Sequence, residues 1–185
     1  MIIMSDKQVQ VSAFADLVEV TGRLSQFCDR LEHNEGADRM ELLDVGRLLR
    51  ESAVVAIRAS SVKLRDRYAD RLEELESRNV LRWDGDAHWP DRIRHAKTWR
   101  EVQVAQARHD ATYHPDVVGL PRAEQVRHYT LHLSKLVWKM YRACEDDITW
   151  NSFAESRLID LVVFGVKLAT VANYSLSDLA SDDFS

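Results

Sequence analysis

Turn-making residues are scarce in this chain, with six glycines and three prolines among 185 residues. That scarcity excludes a collagen-like repeat and favours helices, since glycine and proline punctuate turns. The only cysteines, Cys28 and Cys144, lie far apart in the sequence. They exclude a small disulfide scaffold and fit a reducing compartment. The start, Met1-Ile2-Ile3-Met4-Ser5-Asp6, has no basic stretch and no cleavable apolar region, so no signal peptide is expected. The longest apolar window, about Leu158 to Tyr174, is interrupted by Asp160, Lys167 and Asn173, which is too short and too charged to span a membrane. A soluble, cytoplasmic protein is the expectation. An excess of 30 acidic over 25 basic residues, a formal net charge of −5, argues against a dedicated nucleic-acid coat. With 45% hydrophobic residues the chain is long and apolar enough to bury a core as one domain.

Apolar residues recur at helical spacing along nearly the whole chain. Phe14, Leu17, Val18, Leu24 and Phe27 form a stripe between Ser12, a candidate N-cap, and His33. A second helix runs from about Asp38, with Leu42, Val45 and Leu49 inward. A third, capped by Ser60 or Ser61, carries Leu64, Tyr68, Leu72 and Leu75, and its charged face, Arg71 included, reads as solvated. Trp83 to Pro90 reads as a loop, and a fourth helix runs from Asp91 to about Asp110. A second loop, His114 to Pro121, leads into a fifth helix with Pro121 as its first residue, reaching about Cys144. The last helix, about Ser152 to Ala172, is apolar on most faces, which places it at the centre of a bundle or at a dimer interface. The spacing predicts an all-α, single-domain bundle of about six helices over residues 1–174. Residues 175–185 read as a polar, acidic, mobile tail, and a homodimer through an apolar helix face is expected.

Charge is unevenly placed. Residues 82–142 hold 11 basic and 7 acidic groups, whereas residues 143–185 hold 2 and 8. The same middle third holds six of the seven histidines, His88, His95, His109, His114, His128 and His132. Its local sign suits a small anionic ligand such as a nucleotide, or RNA. A basic face packed on the acidic C-terminal segment is the simpler alternative.

Three constellations carry candidate chemistry. Arg108, His109, Asp110 and His114 lie where a helix runs into a loop, and a carboxylate beside an imidazole can fix its tautomer for general acid–base work. Equally, both histidines could cap helix carbonyls. His128 and His132 are i,i+4 neighbours on one helix face, with Arg127 before them and Lys135 and Lys139 continuing it. That spacing suits a shared metal, a phosphate grip or a simple packed pair. Glu155 and Asp160 are candidate ligands for Mg²⁺ or another divalent metal. Asp160, inside an apolar run, must meet a cation, a metal or solvent.

The segment from Glu155 to Leu176, with Asp160 before its apolar run, resembles the closing helix of MazG-like, all-α nucleotide pyrophosphohydrolases. The resemblance implies a helical fold and carboxylates from two helices that hold Mg²⁺ for cleavage of a nucleoside triphosphate. Asp160 matches the aspartate of that family's E-x-x-D, but Arg157 stands where its glutamate belongs. The preceding helix offers His132-Leu133-Ser134-Lys135 in place of E-x-x-E. The chain would then be a degenerate member with a histidine-rich site. Arg127-(x4)-His132, Arg108-(x5)-His114 and Arg122-(x5)-His128 also resemble the R-x(4–6)-H motif of HEPN-type ribonucleases, which implies metal-independent RNA cleavage. A non-catalytic protein-docking surface is the third alternative, favoured if the histidines fall on different faces.

Overall fold

The computed structural model describes residues 6–33, 35–36, 38–59, 63–78, 88–145 and 147–176, and gives the backbone alone for residues 6, 7, 52, 53, 55–59 and 147. Among the described residues there are eight helices and no strand. They are α1 (Asp6–Glu32), α2 (Arg39–Ala59), α3 (Leu64–Ser77), α4 (Trp89–His95), α5 (Trp99–Tyr113), α6 (Pro115–Val118), α7 (Arg122–Ala143) and α8 (Asp147–Val171).

The all-helical reading stands, with eight helices where about six were expected. The expected helix from Asp91 to Asp110 is two. Ala96 leaves α4 in an extended conformation, and Thr98 starts α5 with a reciprocal cap. The Thr98 hydroxyl accepts from the Glu101 N–H at 3.2 Å, while the Glu101 carboxylate accepts from the Thr98 N–H at 3.3 Å. These two bonds satisfy amide groups that a helix start otherwise leaves orphaned. The one-turn helix α6 is an addition inside the expected His114–Pro121 loop. Pro121 caps α7 from outside rather than opening it. Ser12 lies within α1, which starts at Asp6. Ser60, Ser61 and most of the loop read from Trp83 lie outside the described residues, as do residues 177–185 of the expected tail.

The greasy last helix is enclosed by its own chain. Its apolar surface meets α2, α7, α5 and α3, and residues such as Leu158, Val162, Val166 and Leu168 are fully buried. The helices α2 and α8 approach closely where Gly46 faces Gly165. A methyl on Gly165 would lie 2.8 Å from the Gly46 carbonyl oxygen. Only glycine lets these backbones come so near. One hydrophobic cluster runs from Leu17 and Phe27 of α1 through Leu42 and Leu49 of α2 to Leu133 and Met140 of α7.

The end of α8 is fastened to α5. Asn173 takes a left-handed conformation (φ 57°), letting the Tyr174 N–H reach the Ala169 carbonyl at 3.0 Å, a Schellman-type stop. Gln103 then donates to the Tyr174 carbonyl at 2.7 Å and accepts from the Leu176 N–H at 3.0 Å. Ser175 and Leu176 are therefore docked rather than part of a free tail, and Leu176 is fully buried. No helix among the described residues is long and apolar enough to cross a membrane.

Candidate functional site

α7 and α8 run antiparallel through a short turn, and helical spacing puts one stripe of each along a shared seam. On α8 these are Asp160, Val163, Phe164 and Lys167, spaced i, i+3, i+4, i+7. On α7, Gln125, His128, Tyr129 and His132 have the same spacing. The end of α5 and α6 close one side and Arg71 of α3 the other. The result is a cleft of about 260 Å³ lined by His114, His128, His132, Lys167, Arg71 and Asp160, among others.

Two ion pairs form its floor. Asp160 receives two hydrogen bonds from Arg71, at 2.6 Å from Nε and 3.1 Å from Nη2, with Arg157 at 3.7 Å. Arg157 is one of the expected partners and makes the longer contact, whereas the histidine helix, the other expectation, supplies none among the described residues. Arg71 takes the role because α3 crosses α8 here, so its guanidinium turns inward instead of facing solvent. Burial alone would lower the basicity of Arg71, but Asp160 and then Glu74 outweigh it and raise it. The second pair joins Lys167 Nζ to Asp110 Oδ1 at 2.9 Å. Behind it runs a buried relay in which the Tyr68 hydroxyl donates to Gln106 at 2.8 Å and Gln106 donates to Asp110 at 2.9 Å. Burial would push the Asp110 carboxyl up, yet the charge of Lys167, with neighbouring His109 and the Lys167 contact itself, holds it below the usual carboxylate range. Lys167 also lies 5.8 Å from the ring centroids of Tyr129 and Phe164.

The three imidazoles are kept neutral. Burial first, then the charge of Lys167, lowers His114 and His128. His132, partly buried with its ring 4.6 Å from that of His128, is pushed down to about 4 by burial, Lys135 and His128. At neutral pH each ring therefore offers one donor and one acceptor nitrogen.

The remaining candidates sit elsewhere. His109 is fully buried behind the cleft, its Nδ1 3.5 Å from Asp110 Oδ1, with no hydrogen-bond partner for either ring nitrogen among the described residues. Arg127 faces outward to Glu32 and Glu124. Arg108 lines a separate groove along α4 and α5. Lys135 and Lys139 are exposed, Lys135 near enough to act on His132. Glu155 is exposed and outside the cleft lining. His88 and His95 are exposed on α4 and its cap, beside Asp91.

Sequence reasoning passed over Arg71, Lys167 and Tyr129. The two cations could have been found from the cost of burying Asp160 and Asp110 unpaired.

The divalent site implied by the MazG-like resemblance does not fit this donor set. A hard cation needs free carboxylate oxygens, whereas both oxygens of Asp160 hold Arg71 and Asp110 Oδ1 holds Lys167 and Gln106; the remaining acidic oxygens of the lining are Asp110 Oδ2 and those of Asp116. Among the described residues, no three His, Cys, Asp or Glu side chains gather as metal ligands. The arrangement suits hydrogen bonding and proton exchange with an anion. Compared with known proteins, the chain matches no family model, no curated protein and no solved structure.

Proposed function

We propose that this protein binds a small phosphate-bearing ligand of nucleotide class in the histidine cleft, and does so without a metal ion. The observation that carries the reading is the convergence of His114, His128 and His132 on a cleft floored by Arg71 and Lys167. Arg71, held by Asp160 and Glu74, and Lys167, held by Asp110, each keep N–H donors beyond those carboxylates. An arriving phosphate brings the negative charge that lets the neutral imidazoles accept protons, so they become charged donors only when the ligand is present. In terms of the resemblance, such a protein would keep the nucleotide and replace the metal site by ion pairs. His128 and His132 would then be the groups able to give or take a proton at a phosphate oxygen.

Metal-independent cleavage of RNA is the second reading. It is favoured by Arg122, which lines the neighbouring cleft and stands five intervening residues before His128. Arg127, the other arginine matched to the helix histidines, is engaged with Glu32.

The test is a thermal-shift and calorimetric titration with ATP in excess EDTA. Binding to the folded state raises the unfolding midpoint, and His128→Ala or His132→Ala should weaken the effect at least several-fold. A shift that requires added Mg²⁺, or no change in either variant, would overturn the proposal. Cleavage of single-stranded RNA in EDTA, lost in Arg122→Ala and His128→Ala, would move the function to the second reading.

A further inference from the structure

A second cleft, of about 350 Å³, adjoins the first and shares Asp110, Val118, Tyr129 and Lys167 with it. The two are halves of one trough between α7 and α8, and Lys167 stands at their junction. The far half differs in character. It is lined by Arg122, Gln125, Thr170 and Asn173, and its only acid, Asp110, is already held by Lys167. Arg122 is exposed and has no acidic partner among the described residues. Three other arginines of the middle third, Arg94, Arg127 and Arg142, do have one.

Distance decides what such a trough can hold. From Arg122 to His132 is ten residues of one helix, about 15 Å of axis. A single phosphate cannot touch the guanidinium at one end and the His132 imidazole at the other, although His128, six residues from Arg122, is nearer at about 9 Å of axis. Long side chains leaning inward shorten the gap, but a body of sugar size is still needed between two anionic groups.

Resting on the reading of the histidine cleft as a phosphate site, we infer that the ligand carries two separate phosphate groups, one received by the histidines and Arg71 and the other by Arg122, with Lys167 between them. Arg122 is then the specificity-determining residue. It distinguishes a doubly phosphorylated nucleotide from a singly phosphorylated one and adds nothing for the latter. A guanidinium suits this role because its fork of donors matches two phosphate oxygens.

The experiment titrates the whole chain with adenosine 5′-monophosphate and with adenosine 3′,5′-bisphosphate at constant ionic strength, then repeats both with Arg122→Gln. The expected result is at least tenfold tighter binding of the bisphosphate by the wild type. In Arg122→Gln that advantage should disappear while monophosphate affinity stays unchanged. Equal affinities in the wild type, or an advantage that survives Arg122→Gln, would overturn the inference and leave the histidine site standing. Absence of binding by either nucleotide would overturn both. Arg122 is exposed, so its replacement spares the core, and unchanged thermal unfolding of the variant confirms that affinity alone has been altered.

Discussion

Removing the Lys167 ammonium while keeping its apolar stem, as in Lys167→Met, exposes what holds the cleft floor together. The side chains of Lys167 and Asp110 are 11% and 7% exposed, and their charges lie 2.9 Å apart. At an effective dielectric of about 20 their gross attraction is roughly 6 kcal/mol. The net effect is smaller because burying both ions is itself costly. Breaking such a pair by deleting one partner typically costs about 3–5 kcal/mol, since the other charge is left buried alone. Gln106 still donates to Asp110, which places the expected loss near the lower bound, about 3 kcal/mol. For a chain of this size that is roughly a 10 °C fall in the unfolding midpoint. The sign of the pH dependence follows. With Lys167 present, Asp110 is held below its ordinary range and stabilises the fold above the unfolded carboxylate pKa, an effect lost only at strongly acid pH. Without Lys167, burial dominates and raises the carboxyl, so the variant gains protons more readily folded than unfolded. Its deficit should therefore be largest at alkaline pH and shrink on acidification. Urea unfolding at several pH values measures this, and the Lys167→Met/Asp110→Asn double variant should recover more than half of the loss. A single-variant loss under about 1 kcal/mol, or a double variant no better than the single, would refute the reasoning.

The histidines, the helix crossing and the relay make further claims. His132, lowered to about 4 when folded, lets the unfolded chain bind a proton first, so stability falls as pH drops from about 6.5 to 4. After allowance for solvent screening the loss is about 1.5 kcal/mol, and His132→Gln should flatten that part of the urea stability profile. Gly165→Ala should destabilise by about 1–3 kcal/mol because the methyl meets the Gly46 carbonyl oxygen at 2.8 Å. Gly22→Ala, with nothing within 4 Å, should stabilise α1 by up to about 1 kcal/mol, and thermal unfolding of both variants checks the contrast. Tyr68→Phe removes the donor to the buried Gln106 carbonyl and should cost about 1–3 kcal/mol in urea unfolding.

Helical class and most of the core were legible because burial follows spacing. Leu64, Tyr68 and Leu72 face inward as their period requires, and the apolar run of α8 is surrounded by other helices. The split at Ala96–Thr98 had a readable cue, Thr98-Trp99-Arg100-Glu101, a serine/threonine-to-acid spacing that marks a helix start. Apolar periodicity runs straight through it, so a reading based on period alone joins the two helices. The site was legible only in part. The i,i+4 pair His128 and His132 is a local relation and needs no tertiary knowledge. That His114 joins them, that His109 does not, and that Arg127 looks toward Glu32 all depend on how α5 and α7 are rotated against α8. Arg71 was hidden for a different reason. On α3 it lies among charges that look solvated, and only the carboxylate it meets across α8 draws it inward.

The central claim is that the charge of an anion in the cleft draws protons from solvent onto imidazoles which are otherwise neutral. Ring-proton and ring-nitrogen resonances of all seven histidines, recorded at pH 6.5 with and without ATP in EDTA, test it directly. The account predicts that His114, His128 and His132 take up protons and shift, while the resonances of His33, His88, His95 and the buried His109 stay where they are. Unmoved cleft histidines at saturating ATP, or shifts confined to the exposed ones, would contradict it.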